Sequence, residues 1–302
     1  MSMIIQTEQL TKTFQKQHAV DHINMSIQEG EIYGFLGPNG AGKTTTIRML
    51  LGLMKPTSGS VRIFDKQLNK HKLDILRQVG SLVENPSYYP HLTAYENLNV
   101  IRQLVGVPQK RITEVLETVR LTEAAHRKVK GFSLGMKQRL GIAAALLHKP
   151  RLLILDEPTN GLDPSGIIEI RELIKSLPKQ YGMTVLISSH LLSEIDQIAT
   201  AVGVVSKGKL IYQDRMSNLR KLAESTINIQ CSDLEQAAIK LKQLELAATV
   251  EEEYISLGNC SNRSVSDAVS LLVHQGHEIY RVEERKQTLE QIFLGMTDGV
   301  SL

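Results

Sequence analysis

Short apolar runs and segments of helical spacing alternate along the first 219 residues of the chain. Ile4–Leu10 and Ile23–Ile27 have the composition of β-strands and predict an antiparallel, hairpin-like edge. Glu31–Leu36 has a buried-strand pattern and leads directly into a glycine-rich loop. Lys43–Leu53 then has helical character that ends near Gly52. The chain therefore places a strand, a glycine loop and a helix in succession.

A mainly helical block follows, and strands and helices then alternate again. The block extends from Thr93 to His148, and prolines at positions 86 and 90 precede it. Strands that alternate with helices predict a mainly parallel sheet covered by helices on both faces. We therefore predict an α/β domain over residues 1–219, with an antiparallel β edge and a helical subdomain at about residues 86–148. Its remaining apolar strands are predicted at Arg151–Leu155, Met183–Ser188 and Ala201–Val205.

Beyond Leu219 the pattern changes to a shorter repeat of strands and helices. This βαββαβ order, with a closing helix, predicts a small α+β accessory domain over residues 220–302. The predicted elements are a strand at Thr226–Cys231, a helix at Leu234–Leu244, one or two strands at Ala248–Leu257, a helix at Val265–Gln275, a strand at Glu278–Val282 and a helix near Leu289–Leu294.

Composition excludes several classes of protein. Apolar runs such as Ile142–Leu147 are much shorter than the roughly 18 residues that a transmembrane helix needs. The first residues lack a basic segment followed by an apolar one, so we expect no secretory signal and a cytoplasmic location. Cys231 and Cys260 have no CxxC or histidine spacing around them, so neither a disulfide framework nor a zinc site is predicted.

Charge is distributed unevenly between the two predicted domains. Residues 1–219 contain 27 Lys and Arg against 19 Asp and Glu, whereas residues 220–302 contain 8 against 13. The basic excess of the first domain suits an anionic ligand, a membrane face or a nucleic acid. Dense basic runs interleaved with aromatic residues are absent, which disfavours the nucleic acid.

The glycine-rich loop carries the first chemical signature. Residues 37–44 read Gly-Pro-Asn-Gly-Ala-Gly-Lys-Thr and fit the pattern G-x-x-x-x-G-K-[ST] between a strand and a helix. Glycines let the backbone approach phosphates, so that N–H groups and the helix N-terminus face negative charge. Lys43 is expected to reach the β- and γ-phosphates and the Thr44 hydroxyl to bind Mg²⁺. The predicted nucleotide-binding residues are Gly37, Asn39, Gly40, Ala41, Gly42, Lys43, Thr44 and Thr45.

A second signature stands at the end of the predicted strand Arg151–Leu155. Asp156 and Glu157 follow it, at the carboxyl edge where ligands bind in open α/β sheets. Asp156 is expected to hold the metal through water, and Glu157 to polarise the water that attacks the γ-phosphate. The pair therefore predicts that the bound nucleotide is hydrolysed.

Together these segments resemble the ATP-binding subunits of ABC transporters, over residues 1 to about 220. Residues 132–139, Phe-Ser-Leu-Gly-Met-Lys-Gln-Arg, are similar to the family signature Leu-Ser-Gly-Gly-Gln. Ser133 and Gly135 match it, whereas Leu134 and Met136 depart from it. In the family this segment opens a helix that faces the γ-phosphate held by another subunit. The resemblance implies a P-loop ATPase core that pairs head to tail with a second copy.

Three further positions match the family. Asn160–Pro164 resembles the D-loop, which places Asp163 between the two sites of the dimer. Residues 188–190, Ser-Ser-His, end a predicted strand and resemble the switch histidine, so His190 is implied to contact the γ-phosphate. Phe14 stands where the family has an aromatic residue that stacks on adenine, and a place in the core is its alternative.

One position departs from the family pattern. The family usually has a Gln about 40 residues after the phosphate-binding lysine, where it contacts Mg²⁺ and senses the membrane partner. Here the position holds Glu84. A carboxylate can also bind Mg²⁺ or accept from a metal-bound water, although it adds negative charge beside the phosphates. A tolerated surface substitution is the alternative. With residues 132–140 and 158–164, Glu84 resembles the bacitracin-resistance and lantibiotic-immunity branch.

The resemblance implies an ATP- and Mg²⁺-dependent subunit at the cytoplasmic face of the membrane. Separate membrane-spanning permease chains would contact the peptide substrate. A homodimer is favoured because one chain carries both halves of the composite site, with a heterodimer as the alternative. ABC ATPases that serve nucleic acid or the ribosome typically carry two cassettes or a coiled-coil insertion, so no nucleic-acid partner is expected. A sensing module, whose C-terminal domain binds a ligand while ATP locks the state, is the remaining alternative.

Overall fold

The computed structural model describes residues 2–83, 88–222, 225–244, 246–258 and 260–297. The chain divides into two units, Met1–Met216 and Ser217–Leu302. Each unit has its own cluster of buried apolar side chains.

Strands of the first unit belong to a mainly parallel sheet and to an antiparallel sheet. They are β1 (Met3–Phe14), β2 (Gln17–Ile23), β3 (Ser26–Gln28), β4 (Ile32–Leu36), β5 (Ser58–Ile63), β6 (Lys66–Gln67), β7 (Val79–Leu82), β8 (Leu152–Asp156), β9 (Thr184–Ser189), β10 (Ala201–Ser206) and β11 (Lys209–Arg215). The helices are α1 (Lys43–Leu50), α2 (Leu68–Leu76), α3 (Ala94–Val105), α4 (Lys110–Thr118), α5 (Leu134–Leu146), α6 (Pro164–Tyr181) and α7 (Leu192–Ile198). A further helix, α8 (Met216–Lys221), begins at the last residue of this unit.

The parallel sheet confirms the predicted α/β core. Its strand order is β11-β10-β4-β9-β8-β7, in which β11 pairs antiparallel with β10 and the other neighbours are parallel. Every residue of β4, β8, β9 and β10 is buried. Burial on both faces explains why these strands are nearly continuous apolar runs in the sequence.

The antiparallel edge differs from the predicted hairpin. β1 extends to Phe14 and pairs antiparallel with β2, β3 and β5. The predicted strand Ile23–Ile27 is therefore wrong, because its residues are divided between β2 and β3. The Thr7 side chain causes the division: its hydroxyl donates to Ile23 O at 2.9 Å and accepts from Met25 N at 2.8 Å. The Thr7 hydroxyl thus bonds to β1's partner segment on both sides of the break, beside the backbone hydrogen bond from Thr7 N to Met25 O at 2.8 Å.

Helices α3, α4 and α5 lie within the predicted helical block. Thr93 and Glu96 form a capping box at the start of α3. Arg111 of α4 is buried and donates from Nε to Leu147 O at 3.0 Å and from Nη2 to Leu146 O at 2.8 Å. A buried cation therefore satisfies the carbonyl groups at the end of α5 and joins it to α4.

Close packing of α5 on β7 leads to a stability prediction. A Cβ at Gly80 would lie 2.4 Å from Ala145 O and 3.0 Å from Pro150 Cγ. Gly80→Ala should therefore destabilise the protein by about 1–3 kcal/mol, because the backbone of α5 must shift. Gly131→Ala is the control, since a Cβ there has no neighbour within 4 Å. Equal midpoints of urea unfolding for the two variants would contradict this packing.

The second unit has the predicted βαββαβ order. Its strands form an antiparallel sheet of order β13-β14-β12-β15, and the predicted Ala248–Leu257 segment comprises two of them. The completely buried residues of its core cluster are Ile229, Ala237, Leu241, Ile255, Leu257, Ala268 and Leu272. The elements are β12 (Ser225–Cys231), α9 (Leu234–Leu241), β13 (Ala248–Val250), β14 (Ile255–Leu257), α10 (Asn262–His274), β15 (Ile279–Lys286) and α11 (Leu289–Thr297).

Among the described residues, no helix combines the length and the apolar content that crossing a bilayer requires.

Candidate functional site

Three neighbouring strands of the parallel sheet end at one edge and bring the predicted motifs together. Register pairs Leu36 of β4 with Ser189 of β9, and Ser188 of β9 with Asp156 of β8. The glycine loop, Glu157 and His190 follow directly after these strand ends. The side chains of Lys43 and His190, 147 positions apart in the sequence, are thereby brought to the carboxyl edge of the sheet.

The glycine loop can adopt its path only because it lacks side chains at two points. A Cβ at Gly37 would lie 2.3 Å from Val205 O. Gly42 has φ +106°, and a Cβ there would lie 2.4 Å from Ala19 O. The loop therefore runs against β10 and β2 and turns into α1 in a backbone conformation that favours glycine.

Gly42→Ala should lower nucleotide affinity at least about tenfold, because both the left-handed φ and the contact with Ala19 O oppose a Cβ. Fluorescent-nucleotide titration measures the effect. Gly30→Ala is the matched control, since Gly30 has φ +84° without a neighbour within 4 Å. Wild-type affinity in Gly42→Ala would contradict the requirement for this loop geometry.

Lys43 is the cation at the centre of the loop. It is 5% exposed, and its Nζ donates to Gly37 O at 2.7 Å and Pro38 O at 3.2 Å. The same Nζ lies 3.2 Å from Glu157 Oε1. A buried ammonium group requires such partners. The loop therefore curls around a positive charge, and this cradle fits a polyphosphate.

Glu157 connects Lys43 to His190. Its Oε2 lies 3.1 Å from His190 Nδ1. One carboxylate therefore contacts both the Lys43 ammonium group and the His190 ring. Its backbone has φ +46°, an uncommon conformation for a residue with a side chain. Such strain is frequent at functional sites, where the surroundings hold it in place.

Ser188 fixes the two acidic residues and was not singled out in the sequence. Its hydroxyl donates to Asp156 Oδ1 at 2.6 Å and accepts from Glu157 N at 2.9 Å. Asp156 is buried. The signal in the sequence is a polar residue that directly follows the apolar run Val185–Ile187.

The remaining predicted loop residues lie around this cluster. Thr44 and Thr45 are half-buried in the first turn of α1, and Ala41 is buried. Asn39 and Gly40 are exposed at the tip of the loop. Glu84 lies outside the described residues.

Phe14 is the last residue of β1 and is 47% exposed, with Lys12 Nζ 5.3 Å from its ring centroid. This exposure excludes its alternative role as a core residue. The paired strand β2 carries Ala19, whose carbonyl group faces Gly42. The ring is therefore available on the edge sheet that borders the glycine loop.

Ser133, Gly135 and Asp163 form a second group at the starts of α5 and α6. The Ser133 hydroxyl accepts from Met136 N, and Asp163 Oδ1 accepts from Gly166 N, each at 3.2 Å. Ser133 and Asp163 are exposed, and Gly135 is half-buried. Among the described residues, no hydrogen bond or ion pair joins this group to Lys43, Glu157 or His190. One chain therefore holds two separate sets of site residues.

Tyr88 contacts the helix that begins at the second group. Its hydroxyl donates to Lys137 O. Burial raises the pKa of Tyr88 well above its ordinary value, so the hydroxyl stays protonated and remains a donor. The segment that enters the helical block is thereby attached to the start of α5.

Comparison with known proteins agrees with this geometry. Residues 20–160 match the family model described as ABC transporter. The bacitracin transport ATP-binding protein BcrA of Bacillus licheniformis is 46% identical, over 99% of this chain and 99% of its own. The lantibiotic transport ATP-binding protein SrtF of Streptococcus pyogenes is 44% identical, over 74% of this chain and 97% of its own.

A solved structure also matches this chain. It is the ATP-binding cassette MJ0796 in a dimeric post-hydrolysis state bound to ADP and Pi. The TM-score is 0.64 at 27% identity, and the match covers 70% of this chain and 99% of that one.

Proposed function

This chain belongs to the ATP-binding subunits of ABC transporters, and on that premise we propose that it powers the export of a peptide antibiotic or its removal from the membrane. It binds nucleotide and is an ATPase that converts ATP and water to ADP and phosphate. The names of BcrA and SrtF support a bacitracin-like or lantibiotic-like substrate. Activity would confer resistance or immunity on the cell.

The main support for ATP hydrolysis is that Glu157 contacts both Lys43 and His190. Glu157 orients and polarises the attacking water, because its carboxylate lies beside the cradle for the γ-phosphate. Lys43 exchanges its contacts with the loop carbonyls and Glu157 for phosphate oxygens and neutralises their charge. His190, 3.1 Å from Glu157, holds the carboxylate and senses the γ-phosphate.

Thr44 and Asp156 would hold Mg²⁺. Asp156 offers a buried carboxylate whose Oδ1 is oriented by Ser188, and Thr44 offers a hydroxyl in the first turn of α1. Oxygen donors of this kind fit Mg²⁺, which retains several waters in such sites. When bound, the ion supplies positive charge that offsets the charge of the phosphates.

A second copy of the chain completes the site. Ser133, Gly135 and Asp163 are available at the starts of α5 and α6, apart from Lys43 and Glu157. Helix N-termini favour phosphate. In a head-to-tail homodimer, each copy would present Ser133 and Gly135 to the ATP on its partner. The structure of MJ0796, which is dimeric and bound to ADP and Pi, supports the formation of a dimer.

The partner of the dimer is a membrane-spanning permease, and the chain binds peripherally to the cytoplasmic face of the membrane. The family of transporter subunits supports this assignment. The permease contacts the peptide, while this chain supplies the energy of hydrolysis. The basic excess of residues 1–219 suits a position beside an anionic membrane surface.

The test is co-purification from membranes with the permease, followed by ATPase measurements with bacitracin, a lantibiotic, DNA and ribosomes. We expect one peptide to raise hydrolysis severalfold in the wild-type complex and not in a complex that contains Glu157→Gln. If no membrane partner is captured and DNA or ribosomes raise hydrolysis, the transport proposal fails while the ATPase assignment stands.

A further inference from the structure

A buried carboxylate lies behind the catalytic cluster. Glu194 of α7 is 8% exposed. Its Oε2 accepts hydrogen bonds from the hydroxyls of Thr159, at 2.7 Å, and Ser189, at 2.9 Å. Both hydroxyl-bearing residues are themselves buried. One carboxylate oxygen thereby joins two segments that are 30 positions apart in the sequence.

Thr159 belongs to the turn that follows the catalytic carboxylate. Asn160 N donates to Glu157 O at 3.1 Å, and Leu162 N donates to Thr159 O at 3.2 Å. The turn leads directly to Asp163, the N-cap residue of α6. A displacement of Thr159 would therefore move Glu157 and Asp163 together.

Ser189 belongs to the strand end that carries the switch histidine. Its hydroxyl accepts a hydrogen bond from Leu191 N at 3.0 Å. His190 therefore lies between two residues that are hydrogen-bonded to each other. Its carbonyl group accepts from Gly37 N at 3.3 Å, at the start of the glycine loop. Ser189 thus determines where His190 lies relative to that loop.

From this geometry we propose that Glu194 is a positioning residue for ATP hydrolysis. Glu194 holds the turn between Glu157 and Asp163 against the end of β9, which His190 follows. When the second copy displaces Asp163, His190 should therefore move as well. The proposal rests on the roles proposed above for Glu157, His190 and Asp163. A carboxylate suits this task, because hydrogen bonds to a charged acceptor are stronger than neutral ones and both donors are buried.

Steady-state ATPase kinetics of the full chain tests the proposal. Glu194→Ala should lower kcat about 10- to 100-fold and leave KM for ATP within about twofold, since Lys43 and the glycine loop are untouched. Glu194→Gln keeps the size and one acceptor oxygen, and should restore at least about a third of the wild-type kcat.

A double-mutant cycle separates positioning from a loss of stability. Thr159→Val removes the hydroxyl, and combining it with Glu194→Ala should lower kcat no further than Glu194→Ala alone. Thr184→Val is the matched control: its buried hydroxyl accepts from Gly30 N at 2.9 Å at the opposite end of β9. This control should keep kcat within about twofold of wild type at a comparable cost in stability.

Hydrogen exchange supplies a readout that does not depend on turnover or on transport. In Glu194→Ala, exchange should increase at Leu162 N and Leu191 N, whereas Thr184→Val should leave both unchanged. Wild-type kcat and exchange in a folded Glu194→Ala would overturn the proposal, as would independent, multiplying effects of the two substitutions. Absence of peptide-stimulated hydrolysis in the permease complex would instead count against the transport proposal alone.

Discussion

Replacing Glu157 by Gln should lower steady-state ATP hydrolysis by about 10²- to 10³-fold while nucleotide affinity is retained. The amide keeps the size of the side chain but loses the negative charge that polarises the attacking water. It also loses the ion pair with Lys43, 3.2 Å away, which frees the ammonium group for phosphate. ATP should therefore bind without being hydrolysed, and the variant should accumulate as an ATP-bound dimer.

Phosphate release and size-exclusion chromatography with ATP measure the two effects. Glu123→Gln, at an exposed position in the helical subdomain, removes the same charge elsewhere and should behave as wild type. Glu157→Gln with unchanged turnover would exclude Glu157 as the group that activates water. A ligand-binding switch that never hydrolyses ATP would likewise show no difference between the two variants.

Replacing Gly135 by Ala should lower kcat at least about tenfold without lowering the stability of the monomer. A Cβ at Gly135 would meet Gly166 Cα and Leu162 Cδ2 at 3.9 Å each, which is ordinary van der Waals contact. Alanine also favours a helix over glycine, by about 0.5–1 kcal/mol, so the monomer should become slightly more stable. The loss of activity would arise because the added methyl group obstructs the approach of the partner's ATP.

Mixed dimers test whether this contact is made by the partner. Lys43→Ala removes the phosphate-binding cation and should itself be inactive. When the two variants are mixed, each heterodimer has one intact site, which combines Lys43 of the Gly135→Ala copy with Gly135 of the Lys43→Ala copy. Its other site carries both substitutions. Random pairing should then restore up to about a quarter of the wild-type rate. No recovery on mixing would indicate that Gly135 acts within its own chain.

The core of the fold could be predicted because burial on both faces leaves continuous apolar runs in β4, β8, β9 and β10. The antiparallel edge could be predicted only in part. Its division depends on the buried Thr7 hydroxyl, which bonds backbone groups 16 and 18 positions away. A local pattern contains no information about such a contact.

The grouping of Lys43, Glu157 and His190 could be expected from the sequence, because parallel strands end at the same edge of a sheet. Their direct contacts could not, since they depend on strand register. The hydroxyls of Ser188, Thr159 and Ser189 were missed for the same reason: single polar residues beside apolar strands are common, and only the fold brings them to Asp156 and Glu194. The role of Glu84 stays a prediction.

The most direct measurement is a structure of Glu157→Gln with ATP and Mg²⁺. We expect a head-to-tail dimer with each γ-phosphate between Lys43 of one copy and the Ser133–Gly135 helix start of the other. ATP bound to a monomer, or a dimer that leaves Ser133 and Gly135 distant from the nucleotide, would contradict the composite site on which the proposed function depends.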